Sequence, residues 1–538
     1  MQSNLMKRWR LHGLSILAFF AIAVAVQWAT GVYGSEAGHF PDEAGHFVSG
    51  LIIRDYAVSG LERAPIPYAE NYYLHFPKAS FGIFPPLFHF LLGGWLLFSS
   101  GSFTGALAFS AMIMALIAWC LFRFTKRDYG VLAAGATGLL VIFLPLMRTL
   151  TGAVMIDNLI ALFGLMVAYH TARYLQTEET REAVLLGIFG AAGCLVKGNG
   201  LGALLCPVLA IVLTGRYRVL RKPGLYIAAA IVICSAPIMW ISLRLYDKNS
   251  SFLAPGFDFS SRAAAFYGRS LWDQTGGLLL VILLAGIAIK MWDWWNSGRQ
   301  DTLWPSVLAL VAGSFLFHIL IPQPPDGRYI ATVVAGLAAF TPVAASKLSR
   351  KVAIPVMLAL AALALATGSH WDTPLGFKDV LSEIQKDKDF DHVRILVVSD
   401  SLGEGAMVGD VASVARVRPG DQLVIRGSKF LARSDWNANQ YRLQHADARE
   451  VLQSLEDLSV DYIVLDRTRD LQWIPHVQQV VELTAMHPDR VVLEKAWAVS
   501  PRERSHSLEL YRVKFTAETP RTKLHYFLDS TLGRELQN

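Results

Sequence analysis

Two adjacent carboxylates, Asp42 and Glu43, lie between two histidines in the segment HFPDEAGHF, residues 39–47. A carboxylate that is partly removed from water has a raised pKa and can accept a proton from a hydroxyl group within hydrogen-bond reach. Pro41 at the first helical position, followed by acids in the first turn, is also typical of a helix N-terminus, where negative charge is stabilised. The residue types alone do not rank a general base above this structural role.

A metal site is the second alternative for the same residues. Glu43 and His46 are three residues apart, and Asp42 and His46 are four apart, so a helix would place them on one face. Carboxylate and imidazole groups both bind divalent cations, but only one such set is present. We predict no metal site. Asp42, Glu43 and His46 are the candidate ligands if a divalent cation is used.

The elements that must position these residues are those of an integral membrane protein. The 538-residue chain is 53% hydrophobic, with mean hydropathy +0.38. Lys and Arg outnumber Asp and Glu by 27 to 17 in residues 1–370, whereas acids outnumber bases by 26 to 22 in residues 371–538. We therefore predict a transmembrane helical domain followed by a soluble domain. The positive charge that gives the chain its overall net charge of +6 lies on the membrane part, which indicates contact with anionic lipid and no nucleic-acid binding.

A spanning helix needs about 20 apolar residues, and cytoplasmic loops are rich in Lys and Arg. Residues 84–98, FPPLFHFLLGGWLLF, are apolar but short, and contain Pro-Pro and Gly-Gly. If this segment lies along the membrane surface or re-enters, the basic loops all face the cytoplasm. The chain then has an external first loop, residues 34–102, a cytoplasmic N-terminus, an external C-terminal domain and about eleven spans. The predicted spans are 13–33, 103–122, 130–147, 155–174, 183–197, 199–214, 224–245, 276–293, 303–321, 329–346 and 352–369.

This topology places the unusual polar residues of the bundle on one membrane face. Ionisable side chains at membrane depth are costly and usually face a cavity or one another, so we expect one external cavity. Cations beside such a cavity can stabilise a departing anion. The cationic candidates are Lys78, Lys197 and Arg328, for which snorkelling or anchoring of the topology is the alternative role.

Seven further residues are candidates for lining the cavity. Arg148 and Asp157 can equally form a structural ion pair, and the aromatic members can equally be interfacial side chains. The candidates are His46, Tyr72, Tyr73, His75, Arg148, Asp157 and Tyr329.

The C-terminal part has the pattern of an α/β domain. Strand-like runs alternate with a helical pattern at residues 439–457. The segment SLGEGAMVGD, residues 401–410, follows the first strand but lacks the Gly-x-Gly-x-x-Gly spacing of a nucleotide-binding turn. We expect it to cover, scaffold or capture an acceptor beside the external cavity. The predicted strands are 394–400, 421–426, 460–466 and 490–499.

Five segments of the chain resemble the GT-C glycosyltransferases in their order, and in detail the branch of protein O-mannosyltransferases and lipid A aminoarabinose transferases. The resemblance covers residues 10–345. The segments are DEAGHFVSG, FPPLFHFLLG, MIDNLIALFGLMVAYHTARYL, CLVKGNGLGALLCPVLAIV and DGRYIATVVAGLAAFTP.

The resemblance implies an enzyme that takes a sugar from a polyprenyl-phosphate carrier on the external face, with inversion. It also implies that Asp42 is the catalytic base, Glu43 its partner and Asp157 the acid that opens a later span. In the aminoarabinose transferase a Lys before the loop proline meets the donor phosphate, whereas Phe84 stands there in this chain. Another cation must then bind the phosphate, and the candidates are Lys78, Lys197 and Arg328.

We therefore predict a multi-pass glycosyltransferase of the inner membrane that acts on an envelope acceptor, either a lipid, a glycan or a protein. A divalent cation is possible as a cofactor. Three alternatives stay open. They are a transporter, for which the chain lacks a convincing internal repeat, a non-catalytic envelope scaffold, and a ligase or polymerase that uses a diphosphate-linked glycan.

Overall fold

Helices make up the first two thirds of the chain, and a small mixed sheet with its own helices follows them. The computed structural model describes residues 2–61, 64–80, 82–249, 253–298, 300–367, 375–415, 422–433, 441–468, 471, 473–498, 507–515, 525–528 and 534–537. This arrangement agrees with the predicted order of a helical domain and then an α/β domain. The predicted boundary near residue 370 falls outside the described residues.

The first part of the chain contains seventeen described α-helices. Gly130, with φ of 81°, interrupts α5 and divides it into two helical segments joined by a kink. The helices are α1 Gln2–Ala29, α2 Glu43–Val58, α3 Pro65–His75, α4 Leu87–Phe98, α5 Phe103–Phe143, α6 Pro145–Thr151, α7 Asp157–Thr177, α8 Thr180–Val196, α9 Leu205–Thr214, α10 Pro223–Ile233, α11 Ala236–Asn249, α12 Phe257–Thr275, α13 Leu278–Asn296, α14 Leu303–Leu320, α15 Ala331–Ala338, α16 Thr341–Ala345 and α17 Arg350–Ala366.

Six helical stretches within the described residues are long and apolar enough to cross a membrane. The other predicted spans coincide with helices that are shorter or more polar, so the predicted count of about eleven is not confirmed. The six stretches are Leu11–Ala29, Phe103–Phe143, Pro223–Leu245, Leu278–Asn296, Leu303–Leu320 and Gly327–Ala345.

Helix α4 corresponds to the segment whose placement decides the predicted topology. It has 12 residues, and at about 1.5 Å per residue it is shorter than a membrane crossing. It lies closely against α2, because a Cβ atom on Gly50 would meet Leu92 at 2.7 Å and one on Gly93 would meet Ile53 at 2.7 Å. The helix is therefore held to the first loop over most of its length.

Three helices of the bundle bring their ends together at the site described below. Helices α7 and α8 pack against each other as neighbours in the chain, so the start of α7 and the end of α8 lie at the same end of the bundle. Helix α15 follows a short 3₁₀ turn, Gly327–Ile330, and packs against α7 at Gly164, where a Cβ atom would meet Thr332 at 2.9 Å. These small residues allow the close approach of the helices that carry the charged groups.

The C-terminal domain is built on a five-stranded sheet in the order β2-β1-β5-β7-β6. The strands β1, β2 and β5 are parallel, whereas β7 and β6 are antiparallel to their neighbours. The strands are β1 Arg394–Val398, β2 Leu423–Arg426, β3 Ala432–Arg433, β4 Arg442–Leu443, β5 Tyr462–Asp466, β6 Val491–Ala498, β7 Ser507–Val513, β8 His525–Leu528 and β9 Arg534–Gln537. The helices are α18 Phe377–Ile384, α19 Ser401–Val414, α20 Gly427–Phe430, α21 Ala448–Asp457 and α22 Pro475–Met486.

All four predicted strands are present, but the sequence analysis missed β7, which pairs with β5 at the centre of the sheet. The helix predicted over residues 439–457 begins only at Ala448, where Asp447 accepts hydrogen bonds from the N–H groups of the first turn. The segment at residues 401–410 lies in α19. Asp400 already caps the first N–H groups of this helix, so the nucleotide-binding turn considered for this segment is not present.

The sheet domain is joined to the first loop by polar contacts. The Glu36 carboxylate accepts hydrogen bonds from the backbone N–H groups of Leu375 at 2.7 Å, Gly376 at 3.1 Å and Lys378 at 3.3 Å. Because these N–H groups belong to the start of α18, Glu36 acts as a cap supplied from the other part of the chain. The domain and the first loop therefore share one buried interface.

Candidate functional site

Asp42 and Arg328 form an ion pair at one end of the bundle. Arg328 Nη2 donates to Asp42 Oδ2 at 2.9 Å, and the two side chains are only 10% and 16% exposed. Asp42 immediately precedes α2, but its side chain does not cap the helix. The Asp42 carboxylate therefore pairs with a cation. It does not fill the structural role considered for it in the sequence, which is to stabilise the N-terminus of α2.

Asp326 fixes the orientation of Arg328. Its carboxylate accepts from the Arg328 backbone N–H at 3.0 Å and from Nε at 2.8 Å. The guanidinium is planar and rigid, so holding Nε and the backbone aims Nη2 at Asp42. Nη1 contacts the sulfur of Met155 at 3.9 Å, and a thioether is a weak acceptor. This nitrogen is available to a stronger acceptor.

Lys197 is the second cation of this region, and it follows the last residue of α8. Its Nζ atom is 3.7 Å from Oδ1 of Asp157 at the start of α7. The same ammonium lies 4.3 Å from the centre of the Tyr329 ring and 5.8 Å from that of Phe84. Contact with an aromatic face stabilises a cation. Tyr329 follows Arg328, so the two cations are neighbours in one cluster.

Phe84 forms an apolar wall of this cluster. Its ring centre is 4.8 Å from that of His46, in addition to its contact with Lys197. The resemblance described above expects a phosphate-binding Lys at this position. The structure places the side chain of Phe84 beside Lys197, so a cation is present in the region although it comes from a different element.

Glu43 does not share the partners of Asp42. Its carboxylate is buried and accepts hydrogen bonds from the backbone N–H groups of His39 at 2.9 Å and Val154 at 2.8 Å. Burial raises the pKa of this carboxyl group to about 7, against the opposing effect of the N–H donors. These contacts tie the first loop to the segment before α7, which gives Glu43 a structural role beside the site.

His46 pairs with a second histidine and not with the carboxylates. Its Nδ1 atom is 3.1 Å from Nε2 of His89, and both rings are fully buried. Among the described residues there is no group of three or more His, Cys, Asp or Glu side chains arranged to hold a metal ion. The three candidate metal ligands Asp42, Glu43 and His46 face different partners in the structure and are not brought together.

Three aromatic candidates of the first loop have other partners than the cluster. The Tyr72 hydroxyl donates to Asp55 Oδ2 at 3.0 Å, within the packing of α2 and α3. Tyr73 packs against the hydrophobic core of the sheet domain. Nδ1 of His75 is 2.7 Å from the backbone oxygen of Asn71, one turn earlier in α3. These contacts do not place the three residues in the cluster.

Arg148 also lies outside the cluster. Its guanidinium donates to the backbone oxygens of Leu365 and Thr367, each at 2.7 Å. These oxygens belong to the end of α17, where helices leave carbonyl groups without partners. Instead of the ion pair considered between Arg148 and Asp157, the structure shows two separate contacts. Arg148 contacts the end of α17, and Asp157 pairs with Lys197.

Lys78 lies in the first loop at the interface with the sheet domain. Its Nζ atom donates to the backbone oxygen of Ser401 at 2.9 Å. The Asp42 carboxylate is close enough to stabilise its charge. Lys78 thus contacts the sheet domain through Ser401, and its charge is influenced by Asp42.

Several functional neighbours were missed by the sequence analysis. Asp326 lies in the quoted DGRY segment, but nothing in its spacing indicated that it would orient Arg328. His318 stacks on Tyr329 with ring centres 5.9 Å apart. The sequence feature that could have identified it is the position of an ionisable residue near the end of an apolar helix. His89 carries the same signal within FPPLFHF.

Comparison with known proteins supports the resemblance found in the sequence. Residues 84–240 match the family described as dolichyl-phosphate-mannose-protein mannosyltransferase. No curated protein sequence matches the chain. Among the solved structures that match are two of ArnT from Cupriavidus metallidurans. The form bound to undecaprenyl phosphate aligns with a TM-score of 0.56 at 13% identity, covering 92% of this chain and 97% of that one.

The apo form of the same ArnT aligns with a TM-score of 0.53 at 14% identity, with the same coverage of both chains. The predicted similarity to the GT-C glycosyltransferases is thereby confirmed at the level of the fold and of the family match.

Proposed function

We propose that this chain is a membrane glycosyltransferase that moves a sugar from a polyprenyl-phosphate donor to a hydroxyl group of an envelope acceptor. The observation that carries the proposal is the Asp42–Arg328 pair with Lys197 beside it, on a fold shared with an enzyme solved with undecaprenyl phosphate. A carboxylate and two cations are the groups that such a transfer needs. The carboxylate removes a proton from the acceptor hydroxyl, and the two cations stabilise the phosphate that leaves.

The transfer is a single displacement at the anomeric carbon. The acceptor oxygen attacks this carbon while Asp42 accepts the hydroxyl proton, and the bond between the carbon and the phosphate oxygen breaks. The products are the inverted glycoside and polyprenyl monophosphate. The electron pair of the broken bond stays on the phosphate, so negative charge develops where Arg328 and Lys197 can stabilise it.

The two cations differ in what they offer the phosphate. Arg328 Nη1 contacts the Met155 thioether, a weak acceptor, at 3.9 Å, so a phosphate oxygen is a better acceptor for it while Nη2 keeps its bond to Asp42. Lys197 is 3.7 Å from Asp157, longer than an optimal hydrogen bond, which leaves its ammonium able to turn toward a second anion. Aromatic walls from Phe84 and Tyr329 limit the access of water to this charge.

The placement in the cell follows from the same proposal. The site lies at the end of the bundle that carries the first loop and contacts the sheet domain. In this proposal, both lie on the external, periplasmic side of the inner membrane. The sugar is a hexose or a pentose, and the acceptor is a lipid, a glycan or a protein. A divalent cation is tested as a cofactor, because the single charge of Arg328 is shared between Asp42 and Asp326.

Incubation of the purified chain with a panel of polyprenyl-phosphate sugars and envelope extracts, with and without chelator, tests the proposal. We expect consumption of one donor, release of polyprenyl monophosphate, and no consumption with Asp42→Asn. Consumption of no donor across hexoses and pentoses would overturn the proposed function. Loss of consumption with chelator, restored by added divalent cation, would assign a metal to the reaction.

A further inference from the structure

The sheet domain contacts the same first loop that carries Asp42. Helix α19 packs against the first turn of α2, two residues after Asp42, since a Cβ atom on Gly405 would lie 3.0 Å from Cβ of Ala44. On the basis of the function proposed above, we propose that the sheet domain is part of the catalytic site, because its helix α19 holds Lys78 against the first turn of α2, which Asp42 immediately precedes. Lys78 is then a positioning residue, which acts on the reaction through the Asp42 carboxylate.

The side chain of Lys78 is held between the two domains. Its backbone oxygen lies against α2, 3.1 Å from where a Cβ atom on Gly45 would be, three residues after Asp42. Its amine donates to the Ser401 oxygen at the first residue of α19. The side chain also passes Gly405, where an added Cβ atom would meet Cε at 3.0 Å and Nζ at 3.4 Å. A side chain at position 405 would therefore require Lys78 to shift.

An ion pair inside the sheet domain fixes the loop that carries Lys78. Glu404, one residue before Gly405, is fully buried and accepts from Arg426 Nε at 2.8 Å and from Ser428 N at 2.7 Å. The same guanidinium donates from Nη1 to the backbone oxygen of Pro77 at 3.2 Å. A buried pair of this kind is rigid because breaking it leaves an uncompensated charge. Pro77 is thereby held at a fixed distance from α19.

Four charged groups act on the Lys78 amine. Arg426 of β2 and Lys429 of α20 disfavour its ammonium form, whereas Glu404 of α19 and Asp42 favour it. Burial is the largest effect, and together they lower the pKa of Lys78 to about 7. The amine therefore gains or loses its charge near neutral pH, and the proposed base Asp42 is one of the groups that act on it. An ordinary surface lysine is fully charged in this range.

Two glycines of α19 provide a matched pair of test variants. In Gly405→Ala the new methyl group lies 3.0 Å from Lys78 Cε and Ala44 Cβ, closer than ordinary contact, so these neighbours must shift, and no charge is changed. In Gly409→Ala the new methyl group makes only ordinary contacts, at 3.4 Å to Phe47 and 3.6 Å to Ala37. Both glycines lie within a helix at ordinary backbone angles, where alanine is the better helix former. Both variants are therefore expected to keep the sheet domain folded.

The first measurement is the reactivity of Lys78 toward an amine-acylating reagent in the full-length protein, followed by mass spectrometry from pH 5 to pH 10. It does not depend on enzyme activity. We expect half-maximal labelling of Lys78 near pH 7 in the native chain and in Gly405→Ala a shift of at least one pH unit, with no shift in Gly409→Ala. Labelling of Lys78 with the midpoint of an exposed lysine, near pH 10, would overturn the inference whatever the activity.

The second measurement is the steady-state rate of sugar transfer. We expect Gly405→Ala and Lys78→Met to lower kcat at least fivefold with little change in the KM for the donor, and Gly409→Ala to match the native chain. Lys78→Arg should restore part of the rate and remove its dependence on pH near 7. If the native chain transfers sugar and both Lys78→Met and Gly405→Ala transfer it equally fast, the inference is wrong and the proposed function stands. If no donor is consumed, the proposed function fails, and the labelling result alone decides whether α19 sets the environment of Lys78.

Discussion

Arg328 donates to Asp42 at 2.9 Å although 286 residues separate the two in the chain. The first loop supplies the carboxylate, and the turn before α15 supplies the cation. Asp326 aims the guanidinium from two residues away. A site assembled from such distant segments depends on the packing of the whole bundle. Its parts can therefore be tested one at a time, provided that each variant is shown to remain folded.

Replacement of Asp42 by Asn should abolish most of the sugar transfer. The amide has the shape of the carboxylate but does not accept a proton from the acceptor hydroxyl, and loss of a general base typically costs about 10²- to 10⁴-fold in rate. The measurement is kcat with the donor identified in the panel. Asp273→Asn, at an exposed position of α12, is the matched control and should retain the native rate. Equal activity of Asp42→Asn and the native chain would remove Asp42 from the mechanism.

Replacement of Lys197 should weaken the binding of polyprenyl phosphate. A charge-assisted hydrogen bond contributes about 1.5–3 kcal/mol, which corresponds to roughly a 10- to 100-fold increase in Kd. Because Lys197→Met would leave Asp157 buried without its partner, the variant to compare is Lys197→Met combined with Asp157→Asn. The measurement is Kd for undecaprenyl phosphate by calorimetry in detergent.

The control for this experiment is Lys347→Met, since Lys347 is half exposed and pairs with Asp293. It should bind the lipid phosphate as the native chain does. An unchanged Kd for the double variant would show that Lys197 does not contact the phosphate, and Arg328 would then have to bind it without this neighbour.

The sequence predicted the charged groups of the site better than it predicted their partners. Asp42, Lys197, Asp157, Arg328 and Tyr329 were all selected, because ionisable groups at the ends of apolar segments are costly unless they meet one another. Tyr72, Tyr73, His75 and Arg148 satisfied the same criterion. Their partners, such as Asp55 for Tyr72 and the carbonyl groups of α17 for Arg148, depend on tertiary packing.

The fold, like the site, was predicted in part from the sequence. The apolar runs and the alternation of strands and helices gave the order of the two domains and four strands of the sheet. Strand β7 was missed because it carries charged residues, Glu509 and Arg512, which interrupt the apolar pattern of a central strand. The start of α21 was placed too early because polar residues before Asp447 continued its helical periodicity. The cap, and not the periodicity, determines where this helix begins.

Glu43 should make the stability of the chain depend on pH. Its folded pKa of about 7 is above the value near 4.5 of the free carboxyl group, so the folded state binds a proton that the unfolded state has released between these values. Stability due to this group is therefore fully present below about pH 4.5 and is lost as the pH rises to about 7. The loss is about 1.4 kcal/mol for each pKa unit.

Glu43→Gln should remove this dependence. The thermal midpoint of the native chain in detergent should fall between pH 5 and pH 7.5 by several degrees more than that of Glu43→Gln. The matched control is Glu383→Gln at the surface of α18, which should keep the native slope. Parallel curves for Glu43→Gln and the native chain would contradict a buried, protonated Glu43.

Arg148 should prove to be a structural residue whose loss affects stability and not the chemistry. Its guanidinium satisfies carbonyl groups at the end of α17 that have no partner within their own helix, and a buried group left without its hydrogen bond costs about 1–3 kcal/mol. Arg148→Met should lower the thermal midpoint measurably. The protein that remains folded should bind undecaprenyl phosphate with the native Kd. Arg148→Lys should recover only part of the stability, because a lysine cannot reach both oxygens with the geometry of the planar fork. A large rise in Kd with an unchanged thermal midpoint would instead place Arg148 in the binding site with Lys197 and Arg328.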